Sequence, residues 1–250
     1  MPSQGEAIAG RIAAAAERTV TAGPARLFAA WSQGSPVPDE ADRRCEGIAD
    51  LSERQAHVWQ VPMGTVGLAA QFIEEHQDTS SQDLAELGEP QEMVYDGANA
   101  YIHVEGNWTG FFLGDRDRPR TVNDPLWPLD ALFGAREAAE IGAEEVRGVP
   151  VARYRVVIDL GRADAALPAG VTVPTGPFRD LSQIPAEVWL DSAGLCRRIA
   201  VVTERPAPDD QEPTWSIVEL WDFGIRADIV PPTSAEVVPP GAAYCPDRAK

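Results

Sequence analysis

The sequence predicts a mainly antiparallel β domain of the α+β class. The expected form is one strongly curved, unclosed β-barrel of about ten or eleven strands, with helices covering its concave face. Three observations predict it. Short runs of strand-forming residues follow one another, separated by hairpin turn signals such as Asp96-Gly97 and Gly106-Asn107. Strongly apolar helical stripes occur in only two places, near the N-terminus and over 125–134. A sheet of so many strands curls, and its concave side needs an apolar cover that those two stripes can supply.

The chain has 250 residues, 44% of them hydrophobic, enough for a single domain with a real core. That domain is expected over 5–240, with flexible termini at 1–4 and 241–250. Lys and Arg number 21 against 39 Asp and Glu, a net charge of −18. Such a balance argues against nucleic acid and anionic headgroups as partners held by nonspecific attraction. Cys45, Cys196 and Cys245 are far apart and form no CxxC pair, so no zinc site is expected. Three unpaired thiols, a Cys45–Cys245 disulfide and a Cys45–Cys196 disulfide all stay open at this stage.

The first twenty residues lack a basic segment followed by an apolar one. Arg11, Glu17 and Arg18 interrupt the alanine-rich part, so neither a signal peptide nor a membrane span is expected. Cys45 sits in "DRRCEG", which is not a lipobox. Taken as it stands, the sequence leads to a cytoplasmic expectation. A chain trimmed of its export signal would read the same and work outside the cytoplasm.

Residues 5–19 place Ile8, Ile12 and Ala15 or Ala16 at helical spacing, and Gly23-Pro24 ends that region. "ARLFAAWSQG" reads as a strand covered on both faces. "CEGIADLSERQAHVWQV" gives two more strands and "VGLAAQFIEEH" another, followed by a polar loop over 76–90. "EMVYDGANAYIHVEGNWTGFFLG" reads as a three-stranded meander.

At "NDPLWPLDALFG" the period changes to helical. Asp124 is the expected cap, Pro125 the first helical residue and Gly134 the end. "EEVRGVPVARYRVVIDL" is a hairpin turning near Gly148, and "GRADAALP" a short helical excursion. "VTVPTGPFRDLSQIP" is a Pro-rich loop. The clearest signal is "IPAEVWLDSAGLCRRIAVV". Ala186, Val188 and Leu190 share one face, and Asp191-Ser192-Ala193-Gly194 forms a type I turn with Gly194 left-handed. "TWSIVELWDFGI" is the last strand before a Pro-rich tail.

Motifs for catalysis are missing. The sequence has no GxSxG elbow, phosphate loop or GxGxxG fingerprint, and His57, His76 and His103 lie in no metal-ligand spacing. "GDRDRPR" reads as a solvated hairpin end, and "NWT" at Asn107 is a chance match to a glycosylation acceptor. The expectation is therefore no enzyme, no cofactor and no metal.

Three blocks together resemble actinobacterial lipoproteins of the LolA/LppX type. They are "DPLWPLDALFGAREAAEIGAEEVRGVPVARYRVVIDLGRA", "PAEVWLDSAGLCRRIAVV" followed by "VELWDFGI", and "MVYDGANAYIHVEGNWTG". The resemblance spans roughly 5–240 and implies an unclosed half-barrel around a hydrophobic cavity, plugged or lidded by helices. It also implies a carrier of lipids or acyl chains that has no cofactor and catalyses nothing. The export signal and lipobox cysteine of that family have no counterpart here.

Each CH₂ withdrawn from water gains about 0.8 kcal/mol, so such a cavity holds an acyl chain without any charged partner. The expected ligand-binding residues are Leu126, Trp127, Leu129, Leu132 and Phe133 of the apolar helix, with Phe72, Tyr101, Val188 and Leu190 on strands. The bland reading of the helix is that it simply fills the half-barrel as core. Two functions are carried forward: noncatalytic binding or carriage of a lipid or other long apolar molecule, and a protein-interaction or sensor domain with a plugged cavity.

Overall fold

The computed structural model describes residues 3–36, 43–61, 90–97, 99–104, 106–112, 124–168, 171–174, 182–204 and 212–238. Expectations that fall elsewhere, including the strand at 66–76, the polar loop, Phe72 and His76, lie outside the described residues.

Helix α1 spans Gln4–Thr21. It starts on a capping box: the Glu6 N–H donates to Ser3 Oγ at 3.2 Å, and the Ser3 N–H donates to the Glu6 carboxylate at 2.6 Å. Those bonds hold the Glu6 carboxyl below its usual range. The expected stripe is the buried one, with Ala9, Ile12, Ala15 and Ala16 turned to the sheet. Three of these four are alanines, so the helix backbone lies close to the strands.

Twelve strands form one sheet. The first meander is β1 (Ala25–Gln33), β2 (Arg43–Asp50), β3 (Gln55–Val61), β4 (Gln91–Asp96), β5 (Asn99–Val104) and β6 (Asn107–Phe112). The second is β7 (Ala135–Val146), β8 (Val149–Asp159), β9 (Gln183–Asp191), β10 (Cys196–Glu204) and β11 (Thr214–Trp221). An antiparallel β1–β11 pairing, with Ala29 opposite Val218, joins the two. A two-residue strand β12 (Val237–Val238) adds in parallel to β6. The order is β12-β6-β5-β4-β3-β2-β1-β11-β10-β9-β8-β7, so the ends never meet and the barrel stays open.

Two expectations need correction. The apolar helix is shorter than 125–134. Helix α2 spans Trp127–Ala131 and runs into a 3₁₀ turn, Leu132–Gly134, with Leu126 rather than Asp124 at the cap position. Asp124 still serves the approach, its carboxylate accepting from the Leu126 N–H at 2.8 Å. Among the described residues the sheet has twelve strands, one of them, β12, in the Pro-rich tail where none was expected. Helix α3 (Leu160–Ala166) is the expected excursion, capped by the Asp159 carboxylate, which accepts from the Arg162 N–H.

The sheet buries its inner face and a small part of its outer one. The three described helices lie over the inner one, where Leu27, Val58, Tyr95, Ile158, Val188 and Ile199 share one buried core with residues of α1 and α2. At Gly47 a Cβ would run into the His57 carbonyl of β3, so only glycine allows that close approach. The outer face carries a smaller core beneath the β7–β8 hairpin tip: Val146 and Val151 pack on Ala30, Trp189, Ala200 and Ile217. That tip turns through Arg147 and Gly148, both at positive φ (49° and 78°).

Charged side chains staple the tip down. Glu219 accepts from Arg147 Nε at 2.7 Å and from Arg198 Nε at 2.8 Å. The guanidiniums of Arg153 and Arg198 stack over Trp189 at 5.0 and 5.2 Å, and its indole N–H donates to Glu144. Burial alone would raise the Glu144 pKa, but hydrogen bonds from Arg153 and Trp189 outweigh it and hold the carboxyl below its usual range.

Candidate functional site

The interior of the half-barrel is the candidate site. Its floor across β1 to β5 mixes small side chains, Ala29, Cys45, Gly47, Ala49, Ala56 and Ala100, with the larger Leu27, Trp31, Val58, Met93 and Tyr95. Further bulk comes from above. Leu126, Trp127, Leu129 and Leu132 are 0–3% exposed, and Phe133 is half-buried against the same core. At Gly134 a Cβ would meet the Asp159 carbonyl and the backbone of Ala163, so the 3₁₀ turn lies tight on α3.

A polar latch fixes this plug. Arg54, in the β2–β3 turn at φ 56°, makes a bidentate contact with Asp130 of α2: Nε to Oδ2 at 3.3 Å and Nη2 to Oδ1 at 3.1 Å. Both side chains are largely buried, at 13% and 4% exposure. The pair is 76 residues apart in sequence, and no local pattern announces it.

The structure brings together most of the expected residues. The plug residues and Val188 lie in one inner core, with Val188 fully buried beneath the helices. Leu190 stands at the rim of that core, beside α1. Tyr101 goes elsewhere. Strand alternation turns Ala100 and Ile102 inward, and Tyr101 lies on the outer face over Gly110.

Beside α1 the inner face stays open. A groove of about 370 Å³ runs between the helix and the β8–β10 strand ends, over Ile12, Ala152, Tyr154 and Leu190. A wider one of about 810 Å³ lies on the other flank, against Ala138 to Glu140 of β7, and shares Ile8 and Arg11 with the first.

Cys45 and Cys196 are both buried thiols, and Cys245 lies outside the described residues. Burial pushes the Cys196 thiol up to about 12, although the Thr19 hydroxyl bonded beside it pulls the other way. Cys196 should therefore resist a thiol reagent at pH 8 in the native protein and label fully on unfolding. Peptide mapping of the labelled chain checks this; rapid native labelling at Cys196 would contradict its burial.

Among the described residues no cluster of His, Cys, Asp and Glu is fit to hold a metal ion, and no helix is long and apolar enough to cross a membrane.

An open antiparallel half-barrel with an apolar interior under helices defines the class: the fold is LolA/LppX-like. The structure that supports this is LprF from Mycobacterium bovis, with a TM-score of 0.51 at 12% identity, covering 93% of this chain and 100% of that one. Lipoprotein LppX of Mycobacterium tuberculosis aligns with a TM-score of 0.47 at 10% identity, covering 88% of this chain and 99% of the other. A LolA superfamily protein from Nitrosomonas europaea gives 0.33 at 8% identity, over 92% and 96%. No family model matches the chain, and no curated protein matches it in sequence.

Proposed function

We propose that this protein binds a lipid or other long apolar molecule inside the half-barrel, without catalysis, and that α2 is a displaceable plug. One observation carries the reading: a short, buried helix supplies Leu and Trp bulk to the interior of the half-barrel and is tied to the β2–β3 turn by the Arg54–Asp130 pair, while the inner face of β2 carries only Cys45, Gly47 and Ala49. If the plug withdraws, the floor becomes an apolar trough. An acyl chain then replaces the Leu and Trp contacts at about 0.8 kcal/mol per CH₂. Leu126, Trp127, Leu129, Leu132, Phe133, Val188 and Leu190 are its expected neighbours. The ligand moves by sequestration and release, and the sequence carries none of the GxSxG, phosphate-loop or GxGxxG motifs.

Extraction of the purified protein followed by mass spectrometry should find a copurifying lipid, and a fluorescent fatty acid should be taken up. Clean extracts together with no uptake would sink the reading. The latch gives a sharper check. Asp130→Asn weakens the Arg54 contact at a cost of about 2 kcal/mol, and uptake should then run several-fold faster. Unchanged uptake would mean that α2 does not gate entry.

The rival reading, a protein-interaction domain, is favoured by one feature of the outer face. Trp59 is 48% exposed there, with its ring 4.6 Å from His57. Glu92 bridges His57 and His103 at 2.8 and 3.2 Å, and His103 stacks on Trp108. A stable protein complex lost on Trp59→Ala, from a preparation free of lipid, would favour that surface over the interior.

A further inference from the structure

We infer that the molecule held in the half-barrel is an anionic amphiphile, and that Arg11 and Arg18 of α1 receive its charged head at the mouth of the groove beside Leu190. The inference rests on the lipid-binding reading and adds to it the chemistry of the head.

Arg11 and Arg18 stand two turns apart, about 10 Å along one helix face, and both line the 370 Å³ groove. Acidic residues outnumber basic ones 39 to 21, and the arginines Arg26, Arg54, Arg147, Arg153, Arg197 and Arg198 pair with carboxylates. Among the described arginines that do not, Arg11 and Arg18 are the two that line a groove with an apolar floor. Arg11 and Arg18 enter no ion pair among the described residues.

Asp191 and Glu140 are the acids that line the two grooves, and Asp191 is already occupied. Asp191 accepts from the Ala193 and Leu195 N–H groups and from Arg197 Nε at 2.7 Å. Glu140, on the other flank, faces the Tyr154 hydroxyl, whose pKa is raised by burial first and by that carboxylate second. Both guanidiniums thus stand at the rim of an apolar floor, Arg18 with its head against Gly194 of the turn opposite, where the Ser192 hydroxyl is a further donor. A carboxylate or a phosphate fits those donors, and Arg recognises either in bidentate fashion.

The floor is what makes the ligand amphiphilic. Ile12, Tyr154 and Leu190 of the groove belong to the same inner core as the plug, so the surface beneath a tail leaving the head is apolar and continuous with the interior. The groove volume lies at the small end of ordinary ligand sites, suited to one chain and a compact head.

The test uses the full chain and three probes: a fluorescent long-chain fatty acid, the alcohol of the same chain, and inorganic phosphate as competitor. Wild type should bind the acid about tenfold or more tightly than the alcohol, tenfold being worth 1.4 kcal/mol. Arg11→Gln/Arg18→Gln should erase that preference and leave alcohol binding and the thermal midpoint unchanged, while Arg18→Lys should keep part of it. A single-chain lysophospholipid in place of the acid distinguishes a phosphate head from a carboxylate. Equal binding of acid and alcohol by wild type overturns the anionic head and leaves the lipid-binding reading standing. Binding of neither overturns both. Displacement of the acid by millimolar phosphate would make the arginines a small-ion site and overturn the amphiphile.

Discussion

Trp127→Ala is expected to lower stability by about 3–5 kcal/mol and to raise the capacity for apolar ligand at the same time. Trp127 is fully buried on α2 and is among the largest buried side chains of the protein. Its removal leaves a hole that the neighbours cannot fill. Below lies the sheet, where Ile199, Val201, Val218 and Leu220 of β10 and β11 are already fixed in the core, and Gly134 and α3 hold the adjacent turn at backbone contact. Apolar holes of this kind stay dry and accept apolar guests. In a chain of 250 residues each kcal/mol is worth about 2–4 °C, so the midpoint should fall by roughly 10 °C. A long-chain fatty acid should restore part of that loss, more than it raises wild type, because ligand bound only by the folded state stabilises it. Calorimetry with and without the acid reads both effects. A fall in midpoint with no added response to ligand would reduce the plug to core filling. Should the alanine variant fail to fold, Trp127→Phe makes a smaller hole and should show the same pairing of effects in reduced form.

That double expectation exists because plug and core have the same composition, which also explains what could be read from the chain. The two meanders were legible wherever a local signal set the pairing. Gly194 sits at φ 76° in the expected turn, and the Ala186, Val188 and Leu190 face of β9 is the buried inner one. The β1–β11 seam is nonlocal, and no turn marks it. Residues 135–143, "AREAAEIGA", are rich in good helix formers but form β7, because pairing with β8 along the edge of the sheet overrides propensity.

Within the site, apolar residues at 126–133 announced a buried helix, whereas the face of Tyr101 could not be read. Its strand, "NAYIHV", carries apolar groups on both sides, and only the inward placement of Ala100 and Ile102 decides which way the tyrosine turns. The polar parts were the least legible. Arg54–Asp130 and Arg147–Glu219 join residues more than seventy positions apart. Arg11 and Arg18 look in sequence like an ordinary solvated helix face, and only the placement of the groove sets them apart.

The outer face sets up the second large effect. Glu219→Ala should cost about 3 kcal/mol, because it strands the nearly buried Arg198 guanidinium and frees the half-exposed Arg147. Glu219 is 4% exposed and each carboxylate oxygen takes a different arginine, Arg147 on Oε2 and Arg198 on Oε1. Arg198 is itself only 13% exposed. Arg147 lies 3.7 Å above the centre of the Trp221 ring, on the left-handed turn that brings the β7–β8 tip across the sheet. The acid therefore does more than form a pair: it ties a hairpin tip to β11 from outside while the plug fills the inside. Arg26–Asp222 supplies the contrast. Its partners are more than half exposed, and an exposed pair is worth at most about 1 kcal/mol, so Asp222→Asn should scarcely register. Urea unfolding of the two variants measures the difference, with the slope watched for loss of two-state behaviour. The Glu219→Ala deficit should also persist in molar salt, because charges removed from solvent are poorly screened. If Glu219→Ala proves no more costly than Asp222→Asn, the hairpin tip is held by Val146, Val151 and their apolar neighbours alone, and the arginines merely decorate it.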